Sequence, residues 1–289
     1  MYENILFPVD ESEDSSEILR HVGELANWAD ATVHLLFVAD TTRDSVTVVE
    51  NTVVDALVEE GEDIVEDASK TLSARSVEYE TDVVQGNPAP TIVEYAERYG
   101  HDLIVMATHG RTGLSRYLHG SVSEKVVRLA SVPVLTARMQ PDEQLVFPYE
   151  NVLIPTDGSA GALRAAKHGL ALAESLNATA HVLSVVDDAS LGFDIRSAFP
   201  EQAHEQAATE AIEELVTEAE TFGLSDVVEH LEHGDPVDAI LDCIDANDIH
   251  VVVLGTTGRR RTERILLGSV AEKTVRSAPV PVLTVGEPE

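Results

Sequence analysis

The chain has 289 residues, 52 acidic against 19 basic, a formal charge of -33, one cysteine and 44% hydrophobic residues. That apolar content excludes a disordered chain, and at roughly 150 residues per domain the length predicts two folded domains with the acids on their surfaces. General binding to DNA, RNA or an anionic membrane needs a basic face and is excluded by the charge; with no apolar run near the ~18 residues of a membrane span and no basic-then-apolar opening, a cytoplasmic location is expected.

One cysteine makes neither an internal disulfide nor a multi-cysteine metal site, and Cys243 reads as a small helix residue beside Val237, Ile240, Leu241 and Ile244. The bases are mainly Arg, with Lys only at 70, 125, 167 and 273. A surface so acidic suits molar salt, where the Debye length shrinks to about 3 Å, so a halophilic source is expected.

The sequence repeats itself. YENILFPVDES at 2 to 12 returns as YENVLIPTDGS at 149 to 159, and residues 118 to 137 return at 266 to 285 with 14 of 20 positions identical. The chain is a tandem duplication. The expected organisation is a first domain at 1–138, a linker at 139–148 that opens the proline-containing stretch RMQPDEQLVFPYE, and a second domain at 149–289.

In the first copy the elements follow from hydrophobic periodicity. A strand is predicted over Ile5 to Val9, a helix over Ser12 to Trp28 and a strand over Thr32 to Val38. After a variable loop come a long acidic helix reaching Leu72 and a strand from Val77 to Val84. Past Gly86 and Pro88 a helix runs to Tyr99, followed by the strand at 102 to 107, a glycine-rich loop, a helix from Ser121 and the strand at 132 to 136. This alternation predicts an α/β fold, a parallel sheet covered by helices. The nearly continuous apolar runs at 102 to 107 and 250 to 255 are those of strands buried on both faces. Ligands of such sheets bind at the carboxyl ends of the strands.

At those ends the copies read MATHGRTGLSRYLHGSV from Met106 to Val122 and LGTTGRRRTERILLGSV from Leu254 to Val270. Each has a small residue, two residues, Gly, nine residues, then Gly-Ser: Ala107, Gly110, Gly120 and Ser121 in the first, Gly255, Gly258, Gly268 and Ser269 in the second. Glycines admit close backbone approach and a helix start favours phosphate, with Ser121 or Ser269 able to cap that helix and offer a hydroxyl. An ordinary glycine loop with a serine cap would read the same way. Charge separates the readings: residues 111 to 128 and 259 to 276, including Arg111 and Arg259, hold 10 of the 19 basic residues. A positive field kept inside a chain of -33 points to an anionic ligand, although these bases would also serve to neutralise acidic helices or line a domain interface. Asp10 and Asp157 end the first strands; Ser12 and Ser159 suffice as caps, so the carboxylates suit ribose hydroxyls or a Mg²⁺ bridging to phosphate.

With these residues the whole chain resembles a tandem member of the universal stress protein family. The family's ATP-binding signature, Gly, two residues, Gly, nine residues, Gly-Ser/Thr, is matched fully by Gly255, Gly258, Gly268 and Ser269. The resemblance implies two Rossmann-like domains of the adenine nucleotide alpha hydrolase type, each a five-stranded parallel sheet of order 3-2-1-4-5 with helices on both faces, and ATP, ADP or AMP across strands one and four. It implies phosphate contacts from Gly258, Gly268 and Ser269, ribose or metal contact from Asp157 and adenine contact from Val185, with Arg259, Leu254 and Val270 beside them. In the first copy the corresponding residues are Gly110, Gly120, Ser121, Asp10 and Val38, with Arg111, Met106 and Val122. QGNP at 85 to 88 and HGDP at 233 to 236 are similar to the family's turn beside the pocket. The departure is Ala107, tolerated if extended and harmful if that position needs a positive φ.

No P-loop lysine motif, GxSxG elbow or HExxH helix is present. His109 and His119 lack counterparts in the second copy, and His230 and His233 lack a third ligand nearby, so they read as loop and strand-end residues. The expected function is ATP binding in a regulatory or stress-response role without catalysis beyond slow hydrolysis. An ATPase, flavoprotein-like or adenylylating α/β enzyme, and a dimerisation module without nucleotide, stay open beside it. The last strands, 132–136 and 280–284, are apolar edges expected to pair within the chain as the family's homodimer does, with further association of chains into a homodimer.

Overall fold

The computed structural model describes residues 1–10, 15–40, 52–108, 122–138, 143–186, 201–256 and 267–287. Its contacts divide the chain into two units, Met1 to Pro141 and Asp142 to Glu287.

Unit 1 runs β1 (Asn4–Val9), α1 (Ser15–Ala29), β2 (Thr32–Asp40), α2 (Thr52–Ser73), β3 (Tyr79–Gly86), α3 (Pro88–Tyr99), β4 (Leu103–Ala107), α4 (Val122–Leu129) and β5 (Val134–Ala137). Its strands lie in the order β3-β2-β1-β4-β5, all parallel. Unit 2 repeats this with β6 (Asn151–Pro155), α5 (Ala160–Leu176), β7 (Thr179–Val186), α6 (Glu201–Thr221), β8 (Val227–His233), α7 (Pro236–Ala246), β9 (Val251–Gly255), α8 (Ser269–Ser277) and β10 (Val282–Val285). The order there is β8-β7-β6-β9-β10, again parallel. Helices cover both faces: α1 rests on α2 and α3 on α4, α5 on α6 and α7 on α8. The α/β fold with order 3-2-1-4-5, implied by the resemblance, is the one observed.

The central strands carry the core because they are covered twice. Ile5, Leu6, Ile104, Val105, Val152, Leu153, Ile154, Val251, Val252 and Val253 are all fully enclosed. Helix α5 approaches its sheet on a stripe of small residues, and a methyl on Gly169 would stand 3.0 Å from Ile154 and 3.2 Å from Val253. Ser159 caps α5 by accepting from the N–H of Ala162 at 3.2 Å, and Asn177 ends it with φ 53.

Strand limits differ from the sequence reading where a backbone group is used otherwise. Val77 gives its N–H to the Leu72 carbonyl at 3.2 Å, closing the turn after α2 with Ser76 at φ 57, so β3 begins at Tyr79 and extends to Gly86 beside Asp40. Pro133 and Pro281 have no N–H to give; their carbonyls accept from Ile104 and Val252, each at 3.0 Å, and the last strands begin one residue later. Gln144, in the stretch expected as linker, donates to the Pro279 carbonyl at 2.8 Å, and Tyr149 is buried, so the chain is already held by unit 2 there.

Candidate functional site

Strand β1 pairs with β4 only through Ile5 with Leu103 and Leu6 with Ile104, whereas it stays paired with β2 as far as Val9 with Phe37. Unit 2 repeats the pattern, with β6 joined to β9 through Val152 with Val251 and Leu153 with Val252. Chain connections run in opposite directions from this pair of strands, and beyond the last rung a crevice opens. Asp10 and Thr108 stand at the carboxyl ends of its two walls in unit 1, Asp157 and Thr256 in unit 2.

The turn at Asp157 is built from its own side chains. Asp157 Oδ1 accepts from the Ser159 N–H at 2.9 Å, Thr156 Oγ1 accepts from the Gly158 N–H at 3.1 Å, and Gly158 has φ 71, which glycine adopts without strain. With Ser159 capping α5, the exposed Asp157 carboxylate is not the cap. Asp10 is likewise exposed at the end of β1, and residues 11 to 14 lie outside the described residues.

Gly255 ends β9 against the start of α5. A methyl there would meet the Gly161 carbonyl oxygen at 2.7 Å and carbon at 2.8 Å, so glycine is required for close packing; its backbone has no positive φ. Ala107, its counterpart, continues β4 and is not among the positive-φ residues, so its backbone accepts alanine. Thr256 accepts from the Gly268 N–H at 2.8 Å and donates its own to Val285 at 3.2 Å, which brings the two ends of the 257 to 266 segment together. Gly268 is the N-cap of α8, with φ -60 and ψ 141, and makes no side-chain cap bond. Ser269 is therefore the first helical residue and does not cap the helix, which corrects the expectation from sequence. A methyl on Gly268 would lie 3.3 Å from the Thr256 carbonyl oxygen.

Leu254 and Met106 are core residues at 5% and 6% exposure, which leaves chiefly their main chain for a ligand. Val185 and Val270 pack at the margin of the core formed by Leu183, Ile240, Ile244 and Leu254. Strand β2 continues two residues beyond the half-buried Val38, to Asp40. Val122 opens α4 and is exposed. Gly110, Arg111, Gly120, Ser121, Gly258 and Arg259, with His109 and His119, lie outside the described residues. The turns expected beside the pocket, at 85 to 88 and 233 to 236, lead into α3 and α7, each with proline in its first turn; Asp235 caps α7 through the N–H of Val237 at 2.8 Å. Thr108, Thr156 and Thr256 were missed from sequence, though a threonine follows Ala107 and Gly255 alike.

A different polar cluster occupies the amino ends of the strands. His230 Nε2 lies 3.1 Å from His181 Nδ1, whose other nitrogen is 3.3 Å from Asn151 Oδ1. His250 Nδ1 accepts from the N–H groups of Glu150 and Asn151 at 2.9 and 3.2 Å; in unit 1 the Asp102 carboxylate accepts from Glu3 and Asn4 at 2.8 and 3.3 Å instead. Burial lowers His181 and His101 to about 4. Cys243 is buried in α7 and its thiol is pushed up to about 11 by burial, in keeping with a small helix residue.

The model of the universal stress protein family matches residues 1–138 and again residues 148–286. One universal stress protein of Methanocaldococcus jannaschii is 36% identical over 141 residues, 48% of this chain and 83% of the relative. A second from the same organism is 34% identical over 155 residues, 48% of this chain and 96% of the relative. The crystal structure of a universal stress protein from Archaeoglobus fulgidus covers 98% of both chains with a TM-score of 0.76 at 24% identity, a likeness of fold. The chain thus belongs to the universal stress protein family, with the family's domain present twice in succession.

Proposed function

We propose that each crevice holds an adenine nucleotide and that the protein is a regulatory, non-catalytic ATP-binding protein of the stress response in a halophilic cytoplasm. The observation that carries this is the start of α8: its first N–H groups have no side-chain cap, and Gly268 brings them beside Thr256 at the crevice. A phosphate satisfies such donors, and the cations of 259 to 276 add to its attraction. The carboxylate at the opposite wall, Asp157 or Asp10, suits the ribose hydroxyls or a Mg²⁺ shared with the phosphates, and Val185 or Val38 lies on the adenine side. The described residues fit the group: the α8 N–H donors beside Thr256 and the exposed Asp157 carboxylate stand at the ends of the two strands.

Hydrolysis needs a group to activate water, and the histidine that follows the fourth strand in the first copy, His109, has Thr257 as its counterpart in the second; the bound nucleotide acts through the conformation it holds. Mass spectrometry of small molecules released from the native protein should find ATP, ADP or AMP. Calorimetric titration of the Asp157→Ala variant with ATP should show binding lost from one crevice. Multiple-turnover phosphate release would favour the enzyme reading, and a protein that neither carries nor takes up nucleotide would favour the dimerisation module.

A further inference from the structure

At the amino ends of the strands, away from the crevice, unit 2 holds a chain of hydrogen bonds that the nucleotide reading leaves unused. The His181 and His230 rings are nearly parallel, 10° apart, with centroids at 5.3 Å and facing nitrogens at 3.1 Å. The nitrogens are closer than the centroids by the two ring radii, so the rings meet edge to edge through one hydrogen bond. Asn151 fixes its direction. The Asn151 Nδ2 donates to the Asp248 carbonyl at 3.1 Å, which turns Oδ1 toward His181 Nε2 at 3.3 Å. His181 therefore carries its proton on Nε2 and offers a lone pair at Nδ1, and His230 donates its Nε2–H to that lone pair.

Such a chain takes one more proton but not two. The first adds at His230 Nδ1, outside the chain, and every bond survives. The second must enter at His181 Nδ1, where it meets the His230 N–H head-on and sets two cations side by side. His181 is 6% exposed, and burial opposes its charge. Burial also holds His230 down, partly offset by the Glu232 carboxylate on β8, and Cys243 on α7, pushed up to about 11 by burial, stays neutral. His250, before β9, spends its Nδ1 on the Glu150 and Asn151 N–H groups.

Unit 1 has the same frame with different groups. His34 stands in register with Leu6 as His181 does with Leu153, and Asp82 with Leu36 as His230 does with Leu183. Asp82 accepts from Tyr95 Oη at 2.6 Å, and His34 Nδ1 lies 3.5 Å from the Glu80 carboxylate of the same strand, β3. Charge arriving on His34 is thus drawn to β3, whereas charge arriving on His181 is pushed from β8. His101, edge-on to His34 at 4.4 Å, precedes β4 and is not part of β3.

We propose that the imidazole pair is an acid-sensitive latch: it holds the edge strand β8 on β7 while His181 is neutral and releases that edge when His181 gains a proton, whereas β3, the equivalent edge of unit 1, stays closed. Opening bares β7, whose Val182 and Leu183 are fully buried. The latch lies at the opposite end of the strands from the crevice and does not depend on what the crevice holds.

The test is hydrogen exchange of the whole chain, read by mass spectrometry in about 2 M KCl from about pH 7 to about pH 4.5, with rates corrected for the intrinsic effect of pH. Both histidines are held neutral in the fold, so the loss begins below the unfolded pKa of about 6.5 and grows as pH falls. Over that range the peptide spanning β8 should lose on the order of tenfold or more of its protection, while that spanning β3 changes by no more than about threefold. His230→Asp, which sets the unit 1 group opposite His181, should reverse the effect, with β8 keeping or gaining protection. If that variant does not fold, His230→Asn, whose amide can turn to donate or accept, should leave β8 with only a minor part of the loss. A β8 that loses no more protection than β3 in the unmodified chain, or an equal β8 loss in a folded variant, would overturn the latch.

Discussion

Gly255 is glycine for a reason a motif does not state. The signature marks it as a ligand-binding position, but the atoms its methyl would strike belong to the Gly161 backbone. Gly255→Ala should therefore destabilise unit 2 even without ligand, by about 1–3 kcal/mol as overpacking against backbone; urea denaturation of the apo protein measures it, and an unchanged midpoint would show that α5 shifts freely. His21, buried in α1, is held near 4 by burial, with a smaller contribution from Arg20. The unfolded chain binds that proton with a pKa near 6.5, so His21 leaves stability intact above about pH 6.5 and removes it progressively as pH falls toward 4, about 3 kcal/mol in total. A His21→Leu variant should flatten the pH dependence of the urea midpoint across that range. At this scale the sequence showed Asp10 and Asp157 because they recur after matching strands. It hid Thr156 and the Asp102 and His250 acceptors, because hydrogen bonds spanning about a hundred positions leave no local pattern.

Element by element, the duplicated pattern was enough to place the strands and helices and to make the sheet parallel, with its most apolar runs buried on both faces, while the order of the strands came from the family resemblance. Its errors were confined to ends. Val77 and Val132 are apolar and strand-like, but the first closes a helix turn and the second precedes a proline, and neither choice registers in periodicity. Caps are equally local, and within unit 2 the helices differ: α5 and α7 have side-chain caps in Ser159 and Asp235, whereas α8 has Gly268. Ser159→Ala should cost about 1 kcal/mol of unfolding free energy. Ser269→Ala, which removes no cap, should leave the apo protein within about 0.5 kcal/mol. If the two substitutions cost the same, the cap assignment at α8 is wrong.

For the whole molecule the governing quantity is the charge of -33. Carboxylates crowd the exposed faces of α2 and α6, and most have no basic neighbour to meet, with 52 acids to 19 bases. Self-repulsion of this size falls as the Debye length shortens from about 10 Å at 0.1 M salt to about 3 Å at 1 M. The thermal midpoint should rise steeply with KCl over that range, and an uncharged osmolyte should not replace the salt; a midpoint indifferent to KCl would remove the halophilic reading. Among the described residues no helix is long and apolar enough to cross a membrane. One bond has a longer reach than its size implies. The Gly268 N–H on the Thr256 carbonyl at 2.8 Å ties the end of β9 to the start of α8. Doubling the length of a loop closed in this way adds only about 0.6 kcal/mol of closure entropy. Length and charge can therefore change between Thr256 and Gly268 at little cost while β9 and α8 keep their places.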